Sequence, residues 1–125
     1  MAAKSPDKHH AEFAAAFNSG NLDALCDTYE ADAAMIAAPG APAVKGMAAI
    51  RQALAGYLAG GPKMEIETVY TIESGDFALT RSRWKLTGPG PDGKPTEISG
   101  SSIEVLRRQA DGTWRHMIDH PFGAV

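Results

Sequence analysis

One cysteine stands among 125 residues, which excludes an internal disulfide and suits a reducing compartment. Cys26 falls on an apolar helical stripe and reads as a small core residue. No apolar run approaches the roughly 18 residues that a membrane span needs. The opening Met1-Ala-Ala-Lys-Ser-Pro also lacks the apolar core of a signal peptide. The expected setting is soluble and cytoplasmic, with no membrane partner. Basic runs and basic-aromatic stripes are missing too: 12 Lys and Arg face 15 Asp and Glu, for a net charge of −3. Nucleic acid is therefore not an expected partner. There is no internal repeat and no low-complexity segment.

What the chain does have is enough apolar material for a core. Hydrophobic residues make up 44% of it, and a chain of this length fits one domain, 1–125. Ser5-Pro6 reads as an N-cap followed by proline at the first helical position. His10, Phe13, Ala14 and Phe17 then follow the i, i+3, i+4, i+7 stripe of an amphipathic helix, and Gly20 suits the left-handed position that ends it. Asn21 can cap a second short helix with the stripe Leu22, Leu25, Cys26 and Tyr29. Ala33–Ala38 reads as a short strand closed by Pro39-Gly40-Ala41-Pro42. A third helix runs from Met47 to Ala59 and is stopped by Gly60-Gly61-Pro62.

After Pro62 the period changes to two. Met64, Ile66, Thr68, Tyr70 and Ile72 share one face of a strand. A turn at Ser74-Gly75, a strand Phe77–Thr87, an exposed loop Gly88–Pro95, and strands Thr96–Gln109 and Trp114–His120 follow. Helices first and an antiparallel meander after them means α+β.

The last hairpin carries the chemistry. Asp111-Gly112 is a two-residue turn signal; with it, Leu106 pairs with Met117 and Glu104 with Asp119. Directly opposite side chains lie about 4.5–5.5 Å apart at Cβ, and two acids there need a shared proton or a neighbouring cation. The expected registers put Thr68 opposite Arg81 and Arg81 opposite Ser102, diagonal to Glu104. The helix-covered face then holds Met64, Ile66, Tyr70, Ile72, Phe77, Leu79, Leu106 and Met117, interrupted by Arg81, Arg83, Glu104 and Asp119. The outer face carries Trp84, His116 and His120 among Val69, Ile103, Val105 and Ile118. That mixture suits solvent and a subunit contact, so a homodimer is expected.

Four segments resemble a known family: Phe13-Ala-Ala-Ala-Phe-Asn-Ser-Gly-Asn-Leu-Asp-Ala-Leu, Tyr29-Glu-Ala-Asp-Ala, Lys45-Gly-Met-Ala-Ala-Ile-Arg and Asp111-Gly-Thr-Trp-Arg. They are similar to the SnoaL-like, ketosteroid-isomerase-like branch of the nuclear transport factor 2-like superfamily. The resemblance implies a cystatin-like cone, in which a curved antiparallel sheet wraps around three N-terminal helices and encloses a pocket. It does not select among isomerase, cyclase, dehydratase, epoxide hydrolase and plain binding functions. The family's isomerase uses a helix tyrosine, a base aspartate before a Pro-Gly turn and an aspartate on a late strand. The matching positions here are Phe13, Ala38 and Glu104. Without a base at Ala38 the ketosteroid isomerase mechanism is not expected.

Glu104, Asp119 and Arg81 are the expected catalytic set, similar to the carboxylate–arginine–carboxylate arrangement of the superfamily's epoxide hydrolases. A charged and a neutral carboxyl in one pocket supply base and acid together. The alternative is a structural ion-pair network in a ligand-binding or dimerisation module. Phe13, Phe17, Tyr57, Tyr70, Arg83, Leu106 and Met117 are the expected pocket walls, around a small apolar ligand. His116 and His120 lie about 13 Å apart on one strand face, too far to share a metal. His9 and His10 read as exposed or packing residues, so no metal is expected, and no cofactor. Trp84 and Trp114 are assigned to dimer-face or sheet-edge packing. Gly-x-Gly in the Gly88–Pro95 loop lacks the strand–helix context of a nucleotide site.

Overall fold

A computed structural model describes residues 2–124. A 3-10 turn, Pro6–Lys8, leads into α1, His9–Asn18. Gly20 takes φ 70° after α1, a conformation in which a Cβ would clash with the backbone. Asn21 caps α2, Leu22–Cys26, its side chain accepting from the Ala24 N–H. Strands β1, Tyr29–Met35, and β2, Val44–Lys45, precede α3, Met47–Leu58. The long strands β3, Lys63–Ser74, β4, Phe77–Pro89, and β5, Pro95–Arg108, lead to β6, Trp114–His120.

The six strands form one curved, unclosed sheet in the order β2-β1-β6-β5-β4-β3. The architecture is the expected α+β, with two local differences. Tyr29 opens β1 instead of closing the second helix, and β1 runs parallel to β6, so the sheet is not wholly antiparallel. The helices cover one face. Phe17, Leu25, Ile50 and Leu54 are fully buried with Tyr29 and Met35, each large side chain contributing about 1.5–3 kcal/mol of burial. Asn18 fastens α1 to the sheet edge, donating to the Met64 carbonyl at 2.9 Å and accepting from its N–H at 2.7 Å.

The hairpins differ from expectation in register, and register decides which side chains face the helices. Gly75 and Asp76 form the β3–β4 turn, and Ser74 pairs with Phe77. Only Gly75 has positive φ there, as a type II′ turn requires. Beyond the Gly90–Lys94 loop, Arg81 pairs with Ile103 and Ser82 with Ser102. That is one residue away from the expected pairing, and a one-residue slip turns every side chain to the other face. Ala78, Thr80 and Ser82 are buried beneath the helices, while Arg81 and Arg83 alternate with them on the outer face.

The last hairpin contains two offsets that cancel. Its turn places Gly112 at φ 84° and closes with Gly112 N–H to Gln109 O, 2.9 Å, and Gln109 N–H to Thr113 O, 2.7 Å. This is the three-residue loop with a left-handed glycine, not the two-residue turn. Leu106 therefore pairs with His116. A bulge at Met117 then restores the register, so Val105 pairs with Ile118 and Glu104 with Asp119.

Candidate functional site

His10 shares a helical stripe with Phe13 and Phe17, and α1 lies on the inner face of the sheet. Its ring is buried. Nε2 lies 2.8 Å from Glu104 Oε2, and Nδ1 lies 2.8 Å from Thr68 Oγ1. The other oxygen of Glu104, Oε1, accepts from Ser102 Oγ at 2.6 Å, and Ser102 Oγ lies 2.6 Å from Ser82 Oγ. Three adjacent strands and one helix thus build a continuous polar wall. Glu104 is 3% exposed and Asp119 5%. Asp119 Oδ2 accepts from the Tyr29 hydroxyl at 2.5 Å.

His116, turned inward by the Met117 bulge, stacks on Tyr29 with ring centroids 4.3 Å apart. His9 Nε2 approaches it edge-on, 3.0 Å from His116 Nε2. These polar groups sit at one side of a cavity of about 60 Å³, whose walls include Phe13, Tyr29, Tyr57, Met64, Ile66, Trp84 and Pro121. A water needs roughly 10–15 Å³ on this scale, so the space has room for about four to six waters. Trp84 is fixed by donation from Nε1 to the Pro121 carbonyl, 2.8 Å, and lies flat against Gly100. A Cβ at Gly100 would sit 2.5 Å from the indole ring.

Burial governs the protonation of this group. Loss of hydration raises the pKa of Asp119 to about 6 despite the Tyr29 hydrogen bond. It also raises Glu104, against the opposing hydrogen bond and charge of His10. Burial drives His116 down to about 3, and His9 well below its usual value with further help from His116 and His10. The Tyr29 hydroxyl is held well above its ordinary range, first by burial and then by the neighbouring Asp119 charge. Near neutral pH, His9 and His116 are uncharged donors and acceptors, and Asp119 exchanges its proton close to neutrality.

Glu104, His116 and Asp119 each bring a potential metal-ligating atom within 4.8 Å of the others. Tetrahedral coordination at about 2.1 Å needs donors roughly 3.4 Å apart. The same carboxylates already accept hydrogen bonds from His10, Ser102 and Tyr29.

Of the residues expected from the sequence, the structure brings Glu104, Asp119, Phe13 and Tyr57 together at this cavity. Arg81 is not with them: it lies on the outer face, its guanidinium 5.7 Å from the Tyr70 ring centroid. Tyr70 is exposed there as well, and Arg83 pairs with Glu67 in solvent. Phe17 is in the helix core, and Leu106 packs with Ala78 and Trp114 below the cavity. Met117 occupies the bulge and does not line the cavity. Contributors not expected at the cavity include His10 and His116, assigned to packing or to the outer face, Trp84 and Tyr29, assigned to the dimer face and to a helix, and Ser82, Ser102 and Pro121. The place of His10 on the Phe13–Phe17 stripe was the readable signal.

A family model for the SnoaL-like domain matches residues 10–117. The chain belongs to the SnoaL-like domain family. No curated protein matches the sequence. Several solved structures resemble this SnoaL-like chain over most of its length. A ketosteroid isomerase-like protein from Erwinia carotovora atroseptica SCRI1043 is 23% identical with TM-score 0.76, covering 89% of this chain and 87% of its own. A calcium/calmodulin-dependent protein kinase type II association domain, so named provisionally, from Thiobacillus denitrificans ATCC 25259 is 25% identical with TM-score 0.76, covering 96% and 95%. An NTF2-like protein with a cystatin-like fold from Novosphingobium aromaticivorans is 20% identical with TM-score 0.73, covering 89% and 74%. The likeness is one of fold. At the positions matched to the family's isomerase, this SnoaL-like domain has Phe13 on the cavity wall and Ala38 exposed beyond β1.

Proposed function

We propose that this SnoaL-like domain binds a compact, largely apolar small molecule and performs acid–base chemistry on it, of the hydrolase, isomerase or cyclase type. The supporting observation is a pair of carboxyls, Glu104 and Asp119, both nearly inaccessible, at the polar end of an otherwise apolar cavity. Asp119, with a pKa raised to about 6, exchanges a proton near neutrality, where general acid–base catalysis is most effective. His10 Nε2 and Glu104 Oε2 lie 2.8 Å apart, within reach to share a second proton. His10 takes the part that the sequence reading gave to Arg81. A nitrobenzisoxazole tests the proposal, because removal of its C–H proton breaks the ring N–O bond and releases a coloured phenolate. Ring opening above the buffer rate, rising in pH through the Asp119 titration and lost in Asp119→Asn, supports the proposal. A rate equal to buffer alone favours the non-catalytic alternative.

A specific feature favours self-association as well. On the outer face Ile72, Leu79, Val105 and Ile118 are consecutive partners across β3, β4, β5 and β6, forming one apolar row. Ile72 and Ile118 are 57% and 44% exposed, and Tyr70 and Phe77 flank the row at 36% and 45%. A two-fold axis brings the same patch of both subunits together, so one exposed row can be covered by its own copy. We assign it to a second copy of this chain.

A further inference from the structure

The charges around the cavity do not balance. Two carboxyls, Glu104 and Asp119, are buried against it, yet among the described residues no lysine or arginine lines it. Arg81 and Arg83, the cations nearest in sequence pattern, are on the opposite face of the sheet. His9 and His116 are disfavoured as cations by burial among one another. That leaves His10, which is already committed to Glu104 by its 2.8 Å contact. The Asp119 carboxyl accepts one hydrogen bond, from the neutral Tyr29 hydroxyl on Oδ2. Its charge is otherwise favoured only through space by His10 and His120, and Oδ1 has no protein hydrogen-bond partner among the described residues. A buried carboxylate without a cation is costly unless a partner supplies one.

The walls point the same way. Phe13, Tyr29, Tyr57 and Trp84 line the cavity, and aromatic faces attract cations, most strongly where water is excluded. We infer that the cavity takes an organic amine in its protonated form, with Asp119 as the ammonium partner and the aromatic walls holding its hydrocarbon part. This rests on the reading of the cavity as a ligand site. It disfavours small carboxylates, for which no uncommitted cationic group lines the cavity among the described residues.

The two tryptophans of the chain provide the readout. The Trp84 indole N–H lies in the cavity wall, whereas Trp114 is buried against Ala78 and Leu106 away from it. Benzylamine, benzyl alcohol and benzoate are titrated near neutral pH while the two indole N–H signals are followed by NMR. The inference expects benzylamine to shift Trp84 but not Trp114, with at least tenfold tighter binding than benzyl alcohol and no response to benzoate. Asp119→Asn, which keeps size and the Tyr29 hydrogen bond, is expected to remove the preference for the amine while benzyl alcohol still binds. Equal binding of alcohol and amine overturns the inference and leaves the ligand-site reading standing. Binding of benzoate in preference to the amine also overturns it. If none of the three moves Trp84, both readings fall.

Discussion

His10 Nε2 lies 2.8 Å from Glu104 Oε2, joining the first turn of the first helix to the middle of the fifth strand across 94 positions of sequence. Both side chains are buried. Each is therefore the other's main replacement for water.

Truncating one member should expose that dependence. His10→Ala leaves Glu104 with only the Ser102 hydroxyl, and breaking a buried pair costs about 3 kcal/mol. His10 acts to lower the Glu104 pKa, so its removal raises that pKa further. A raised carboxyl pKa gives stability that is present at low pH and lost as pH rises through the folded value. The deficit relative to wild type, measured by urea unfolding, should be largest near pH 7.5 and should shrink by pH 5. A deficit independent of pH would mean that His10 acts by packing alone.

Asp119 makes an opposite case. Its pKa is about 6 in the folded chain against an ordinary value of 3.8, so between those values the native state binds more protons than the unfolded one. Wild type accordingly loses stability as pH rises through that window, by up to about 3 kcal/mol. Asp119→Asn cannot titrate. The variant should gain about that much relative to wild type between pH 4 and pH 7, read from urea midpoints at each pH. His9 and His116 shift the absolute curves the other way. Their lowered pKa values give stability present above the unfolded value of 6.5 and lost on acidification, but they are common to both proteins and drop out of the difference.

Arg81→Ala tests the face assignment. Arg81 lies over Tyr70 on the outer sheet face, so its removal should cost no more than about 1 kcal/mol and leave the titrations of Glu104 and Asp119 unchanged. Movement of either carboxyl pKa by half a unit or more would place Arg81 in electrical contact with the cavity.

The apolar row predicts an effect on mass. Ile118→Lys puts a charge at the end of the row, 44% exposed in the single chain, without touching the core. Light scattering should give twice the 13.2 kDa chain mass for wild type and the single mass for the variant. A wild-type monomer would remove the second copy from the account.

Much of the fold was legible because it rests on local signals. The Asn21 cap, the Gly60-Gly61 stop and the change of period after Pro62 all depend on neighbours in sequence. The site was legible only in part, because it depends on strand register. Glu104 and Asp119 were paired correctly for a reason no periodicity reveals: a longer turn shifts the hairpin by one residue and the Met117 bulge shifts it back. No such compensation occurs between β4 and β5. Arg81 therefore lies outside, and Ser82 and Trp84 inside. His116 changed face by the same bulge that aligned the acids. The role of His10 required knowing how α1 sits on the sheet, which its stripe suggests but its own segment does not determine.

The central claim is that two carboxyls are held at a cavity in a state ready to exchange protons. Carbon-13 NMR titration of the Glu104 and Asp119 side-chain carboxyls measures this directly, with Glu104→Gln and Asp119→Asn assigning the signals. The account predicts that both titrate above the ordinary carboxylate range, Asp119 near 6. Titration of both below about 4, as in a closed ion-pair network with full charge compensation, would contradict it.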